Sequence, residues 1–213
     1  MPVPNFSGKT FVAFLDISGF KELMKDDKRA LEALKHLYQS GYNALNNDNG
    51  VEGFFVSDSG VLFVRTGSNK EKLYKMLEAL RTINIQMLER NYMLTTSIAF
   101  GNFDYQDKLE FDGIDKNPIY GFAYVQAFLD NETGTPKIQP GQCRLIMRNL
   151  PGDIDLNHDD FDLLKPRDNA SKHLYYYWNL ERENQIETFE QRYKDSYQLK
   201  YTGMLTALKR ENI

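Results

Sequence analysis

The 213-residue chain holds one cysteine, Cys143, so no disulfide can close within it. Its three histidines, His36, His158 and His173, are scattered and lack cysteine partners, which excludes a zinc cluster of the finger type. Basic residues are not in excess: 26 Lys and Arg face 30 Asp and Glu, a formal charge of −4, whereas a general nucleic-acid surface needs the opposite sign. Long apolar runs are missing as well. No stretch reaches the roughly 18 residues that span a bilayer, and residues 1–9 have neither the basic start nor the apolar segment of a secretion signal. There is no internal repeat and no low-complexity tract. Together these absences predict a soluble, cytoplasmic protein with neither nucleic acid nor membrane as partner.

What the chain does have is apolar bulk. Hydrophobic residues make up 41% of it, with 14 Phe and 13 Tyr, which is enough to bury a core and excludes disorder of the whole. The continuous apolar run Phe11–Leu15, closed by Asp16 and the turn I-S-G-F, reads as a buried strand. From Arg29 the period changes, and Leu31, Leu34, Tyr38, Tyr42 and Leu45 fall on one helical stripe that stops at the Asn/Asp/Gly cluster 46–50. Two apolar runs, V-E-G-F-F-V and G-V-L-F-V-R, then flank S-D-S and predict an antiparallel hairpin with Asp58 at its tip. Residues 71–90 carry Leu73, Met76, Leu77, Leu80, Ile83, Met87 and Leu88 at helical spacing. A strand over 93–100, a polar loop or irregular hairpin over 102–118 and a helix over 120–131 follow. Strands near 144–147 and 174–178 flank a connector over 150–171, and 181–212 reads as a charged helical extension. The order strand, helix, hairpin, helix, strand is that of a split βαβ unit. The fold class is therefore α+β, a ferredoxin-like, mainly antiparallel sheet with helices on one face. Residues 1–180 are expected to form one domain and 181–213 the extension.

In such a sheet the first strand pairs beside the hairpin, so Asp16 and Asp58 can converge at one edge. Two neighbouring carboxylates repel unless a cation lies between them, and a hard ion such as Mg²⁺ or Mn²⁺ with oxygen ligands is the natural occupant. The I-S-G-F turn offers backbone N–H groups, with Gly19 allowing close approach, and can seat a phosphate. Metal and phosphate together point to nucleotide chemistry. Each piece also has a plainer reading: Asp16 as a helix cap, Asp58 as a turn former, Gly19 as a bend.

The stretches F-L-D-I-S-G-F, F-V-S-D-S-G-V-L-F, S-I-A-F-G and Y-G-F-A-Y-V-Q-A-F with T-P-K-I resemble the class III nucleotide cyclase homology domain from about Phe11 to Ile138, and more loosely as far as Trp178. More narrowly they are similar to the small standalone bacterial cyclases of the Pycsar anti-phage type, which make cyclic CMP or cyclic UMP. The resemblance implies that Asp16, Asp58 and the carbonyl of Ile17 hold two divalent ions, Mg or Mn, and that the backbone of Ile17, Ser18, Gly19 and Phe20 cradles phosphate. It also implies a homodimer with sites shared between subunits, in which a 3′-hydroxyl attacks the α-phosphate and pyrophosphate leaves. The base-reading positions of purine cyclases fall on Phe54 and Phe122, which cannot hydrogen-bond a base edge, so a pyrimidine triphosphate, UTP or CTP, is the expected substrate. The family's transition-state Asn and Arg fall near Val125 and Leu129 and are absent, leaving Lys137 and Arg65 as candidate basic substitutes. The resulting expectation is a pyrimidine cyclase signalling in phage defence. Two alternatives stand beside it: a degenerate domain that binds metal and nucleotide without turnover, and an interaction module in which both aspartates are structural.

Overall fold

A computed structural model describes residues 4–46, 50–106, 118–167 and 172–209. The first strand, β1 (Phe6–Ile17), runs into the one-turn helix α1 (Phe20–Leu23) and then α2 (Asp27–Leu45). The hairpin β2 (Val51–Val56) and β3 (Ser59–Val64) leads to α3 (Asn69–Glu89) and β4 (Leu94–Tyr105). Next come β5 (Ile119–Tyr120), α4 (Phe122–Thr133), β6 (Cys143–Ile146), β7 (Leu164–Lys165) and β8 (His173–Tyr176), with α5 (Ile186–Asp195) and α6 (Lys200–Lys209) closing the chain.

The sheet order is β2-β3-β1-β4-β6-β8-β7, with β5 beside β4. Its first four strands, β2-β3-β1-β4, are the split βαβ arrangement. Among the described residues all pairings are antiparallel except β4 with β6, for which α4 lies in the crossover. Strand β1 is the centre: it pairs with β3 from Val12↔Phe63 to Asp16↔Ser59, and with β4 over its full length.

Successive β1 side chains point to opposite faces, so Phe11, Ala13, Leu15 and Ile17 enter one apolar cluster while Val12 and Phe14 enter another. Helices α2 and α3 cover the first face. Helix α4 covers the second through Ala123 and Ala127, a layer that an arrangement with all helices on one face does not contain. Burial on both sides explains why the strand reads as a continuous apolar run instead of an alternating one.

The helical stripe expected for α2 is rotated. Leu31, Tyr38 and Tyr42 are exposed, and the buried face is Ala33, Leu37, Ser40, Gly41 and Ala44. The helix approaches β2 so closely that a Cβ on Gly41 would stand 2.2 Å from the Phe55 ring. Small residues make that contact, and the larger side chains flank it. Helix α3 keeps its expected stripe and starts in a capping box between Ser68 and Glu71. Strand β4 runs past Gly101 to Tyr105 and pairs antiparallel with β5 through Asp104↔Tyr120 and Tyr105↔Ile119, the hairpin of the two expectations for this segment; its residues 107–117 lie outside the described residues. The 150–171 connector carries the short strand β7.

The C-terminal helices are docked against the sheet. Phe189, Tyr193, Met204, Ala207 and Leu208 belong to the same apolar cluster as α2 and α3, and the Tyr175–Trp178 run is buried there too. Trp178 donates from Nε1 to the Gly141 carbonyl at 2.9 Å, and Asn179 donates from Nδ2 to the Leu208 carbonyl at 3.2 Å. Aromatic mass at the chain's end is thereby spent on packing.

Candidate active site

Asp16 is the penultimate residue of β1, between Ser59 of β3 and Thr95 of β4 in the strand register. Asp58 follows Ser57, whose φ of 53° makes the tight two-residue turn between β2 and β3. The hairpin tip is tied to the end of β1, because the Ile17 N–H donates to the Asp58 carbonyl at 3.1 Å. The two aspartates therefore meet at one end of the sheet. Asp16 does not cap a helix: Gly19 occupies the N-cap of α1 without a side-chain cap, and the Asp16 Oδ1 accepts from the Ser59 hydroxyl at 2.9 Å.

The electrostatics report the same proximity. Burial pushes the Asp16 carboxyl up to about 6; the Ser59 hydrogen bond opposes this, and the charges of Asp58 and Glu132 and a hydrogen bond with Asp58 add to it. A carboxylate destabilised by burial and by like charge is one that a divalent cation would relieve. Among the described residues no group of three or more His, Cys, Asp or Glu side chains is placed to hold a metal. The protein ligands available are thus the two aspartates and backbone oxygen, a donor set of hard oxygens that suits Mg²⁺ or Mn²⁺ with substrate phosphate completing the shell.

The turn after β1 is only partly open as a phosphate cradle. The N–H groups of Ile17 and Ser18 are already given to the carbonyls of Asp58 and Met93, at 3.1 and 2.9 Å. Those of Gly19 and Phe20 have no backbone acceptor among the described residues, and Gly19 adopts a φ of 77° that favours glycine. Ser18 is buried, and its hydroxyl has no hydrogen-bond partner among the described residues. Such a group costs about 1–3 kcal/mol if left unpaired.

A cavity of about 370 Å³ opens beside this turn, lined by Asp16, Ser18, Gly19, Thr95, Asn131, Glu132 and the 137–140 loop. Part of its wall is the C-terminal turn of α4, tied to β4 by Asn131, which accepts from the Thr95 hydroxyl at 3.0 Å. Neither Thr95, Asn131 nor Glu132 was legible as a site residue, since no motif marks them and only the packing of α4 across β1 and β4 brings them to Asp16.

Phe54 and Phe122 stand elsewhere on the same sheet face. Phe54 stacks on Tyr105 with centroids 5.6 Å apart, and Phe122 lies under Arg148 and against Gly101. Neither lines the cavity. Val125 and Leu129 are 43% and 45% exposed on α4. Arg65 is occupied: its guanidinium holds Glu52 at 2.5 Å and the carbonyls of Pro4 and Asn5 at 2.7 and 2.8 Å. Lys137, by contrast, lines the cavity that contains Asp16.

This fold is that of nucleotide cyclase domains. Solved structures similar to it include the adenylyl cyclase CyaB from P. aeruginosa, at a TM-score of 0.53 and 16% identity over 82% of this chain and 95% of that one. The guanylyl cyclase domain of the RhoGC fusion protein from the aquatic fungus Blastocladiella emersonii gives 0.53 at 12% identity over 81% and 94%. The adenylate cyclases from Trypanosoma brucei give 0.53 at 12% identity over 79% and 88%. No protein-family model and no curated protein matches the chain.

Proposed function

We propose that the protein cyclises a pyrimidine nucleoside triphosphate, UTP or CTP, to its 3′,5′-cyclic monophosphate as a signal in phage defence, in the manner of the Pycsar-type cyclases its motifs resemble. The observation that supports this reading is the meeting of Asp16 and Asp58 at one sheet end, beside a cavity, on a cyclase-domain fold. In the reaction the substrate's 3′-oxygen bonds to the α-phosphorus, the bond from that phosphorus to the bridging oxygen breaks, and pyrophosphate leaves while the hydroxyl proton passes to solvent or base. Two divalent ions, Mg or Mn, supply charge neutralisation and nucleophile activation when bound. Asp16, Asp58 and the Ile17 carbonyl would hold them. Gly19 and Phe20 offer N–H groups to phosphate, and Phe54 and Phe122 give apolar bulk to a base pocket completed by a second subunit. Residues 1–180 form the catalytic unit in this reading and 181–213 its brace.

Incubation with each of the four nucleoside triphosphates and Mn²⁺, with products identified by mass spectrometry, tests the reading. Cyclic UMP or cyclic CMP is expected from the unaltered protein. Asp58→Ala should abolish product, and Phe54→Ala should relax the choice of base. Dominant cyclic AMP would overturn the pyrimidine assignment. One observation favours a second reading: Val125 and Leu129 place apolar groups on α4 where cyclases carry Asn and Arg. Metal-dependent nucleotide binding without any cyclic product selects that reading, a sensor domain without turnover.

A further inference from the structure

Among the described residues, the cavity beside Asp16 is lined by two carboxylates, Asp16 and Glu132, and by a single basic residue, Lys137. The carboxylates of an acidic cleft repel a polyphosphate, so a cation in the wall is chemically significant. No hydrogen bond or ion pair engages the Lys137 ammonium among the described residues, although its side chain is exposed. Its backbone, in contrast, is held on both sides. One residue before it, the Pro136 carbonyl accepts from Arg144 Nη1 at 2.6 Å. The Lys137 carbonyl accepts from Gln139 Nε2 at 3.1 Å, the Gln139 N–H donates to Gln142 Oε1 at 2.9 Å, and Ile138 is buried.

Arg144 is itself fixed. It is fully buried, donates from Nε to Asp130 Oδ2 at 2.7 Å and from Nη2 to the Asp130 carbonyl at 3.0 Å. Gly134 leaves room for it, since a Cβ there would lie 2.5 Å from Nη2. The chain thus builds a hydrogen-bonded backbone mount for one exposed lysine that lines the cavity. Ser18 lines the same cavity, and its buried hydroxyl, which has no hydrogen-bond partner among the described residues, marks a second place where a ligand oxygen could be met.

We infer that Lys137 is a substrate-binding residue that takes the triphosphate charge within the same chain that carries Asp16 and Asp58. The inference rests on the nucleotide reading of the site and deepens it. A cation supplied by the metal-bearing chain itself compensates for the apolar Val125 and Leu129, which a partner's α4 would otherwise have to present as Asn and Arg.

The test uses the full chain with Mn²⁺ and the four 3′-deoxynucleoside triphosphates, which lack the attacking hydroxyl, titrated by calorimetry beside Mn²⁺ alone and the free nucleosides. Lys137→Ala should weaken triphosphate binding at least tenfold, leave binding of Mn²⁺ alone within twofold and leave the melting temperature unchanged, and Lys137→Arg should restore affinity to within threefold. Triphosphate affinity within twofold of the unaltered protein in Lys137→Ala overturns the inference. Mixing Lys137→Ala with Asp58→Ala chains addresses the same-chain clause: no recovery of product is expected, and recovery would show that the lysine acts across the subunits. The underlying reading fails separately. An unaltered protein that binds triphosphate through Lys137 yet makes no cyclic product keeps the inference and loses cyclisation, and one that binds no triphosphate loses both.

Discussion

Asp16 is held in a conflict that function can use. Its carboxyl is raised to about 6 against an ordinary 3.8, with burial the main cause and the Ser59 hydroxyl working the other way. A raised carboxyl favours the protonated form in the fold, so the metal-free protein gains stability from this residue below about pH 4 and loses it as pH rises through 6. Asp16→Asn should therefore stabilise the metal-free protein at pH 7.5, by about 1 kcal/mol after allowance for the side chain's partial exposure. The same substitution should abolish divalent-ion binding. Thermal melts with and without Mn²⁺ check both halves, and a destabilised Asp16→Asn protein would contradict the assignment. Ser59→Ala should move the Asp16 titration upward, read from its carboxyl carbon by NMR.

At the scale of elements, α4 does two jobs. Its inner face buries Ala123 and Ala127 on the sheet, and its last turns deliver Asn131 and Glu132 to the cavity. What secures that end is Asp130. Its carboxylate accepts from Ser97 at 2.7 Å, from His173 Nε2 at 2.8 Å and from Arg144. Burial works to raise this carboxyl, yet the hydrogen bonds from His173, Arg144 and Ser97 outweigh it and hold it below the usual range. Contributions of this kind persist above pH 4 and are lost as pH falls further. Asp130→Ala leaves the fully buried Arg144 guanidinium uncompensated and should cost about 3–5 kcal/mol. Chemical denaturation of the variant reads that cost directly. A loss below 1 kcal/mol would mean that the α4 end is secured by packing alone.

At the scale of the whole molecule, the outer face of α4 is left apolar. Val125, Phe128 and Leu129 fall at helical spacing and are each more than a third exposed. Exposed apolar groups that cluster on one face fit contact with another copy of the chain, which in the proposed reading completes the site. Light scattering at micromolar concentration should show a dimer, and Leu129→Glu should shift it toward monomer without lowering the monomer's stability by more than about 0.5 kcal/mol. A protein that stays monomeric with and without nucleotide counts against turnover.

The elements themselves were readable along the chain, because hydrophobic period, caps and turn residues are local. The 71–90 heptad-like spacing, the S-D-S turn and the run before Asp16 all formed the structures they imply. The expected nearness of Asp16 and Asp58 also follows from that order, since a split βαβ unit leaves β1 next to β3 and the hairpin turn beside the end of β1. The exposed Leu31, Tyr38 and Tyr42 show where local reading stops: which side of α2 meets the sheet is set by how near Gly41 lets it come to Phe55, a contact invisible in the helix alone. The α4 layer is the larger case. That it crosses to the second face, brings Glu132 to Asp16, leaves Arg65 tied to Glu52 and sets Lys137 on a loop clamped by Arg144 depends on contacts between residues far apart in sequence. Sequence alone determined the period of the main strands and helices and the places of Asp16 and Asp58 at a strand end and a hairpin turn, and the tertiary structure decided which charges stand around Asp16, because electrostatic partners are chosen by distance in space.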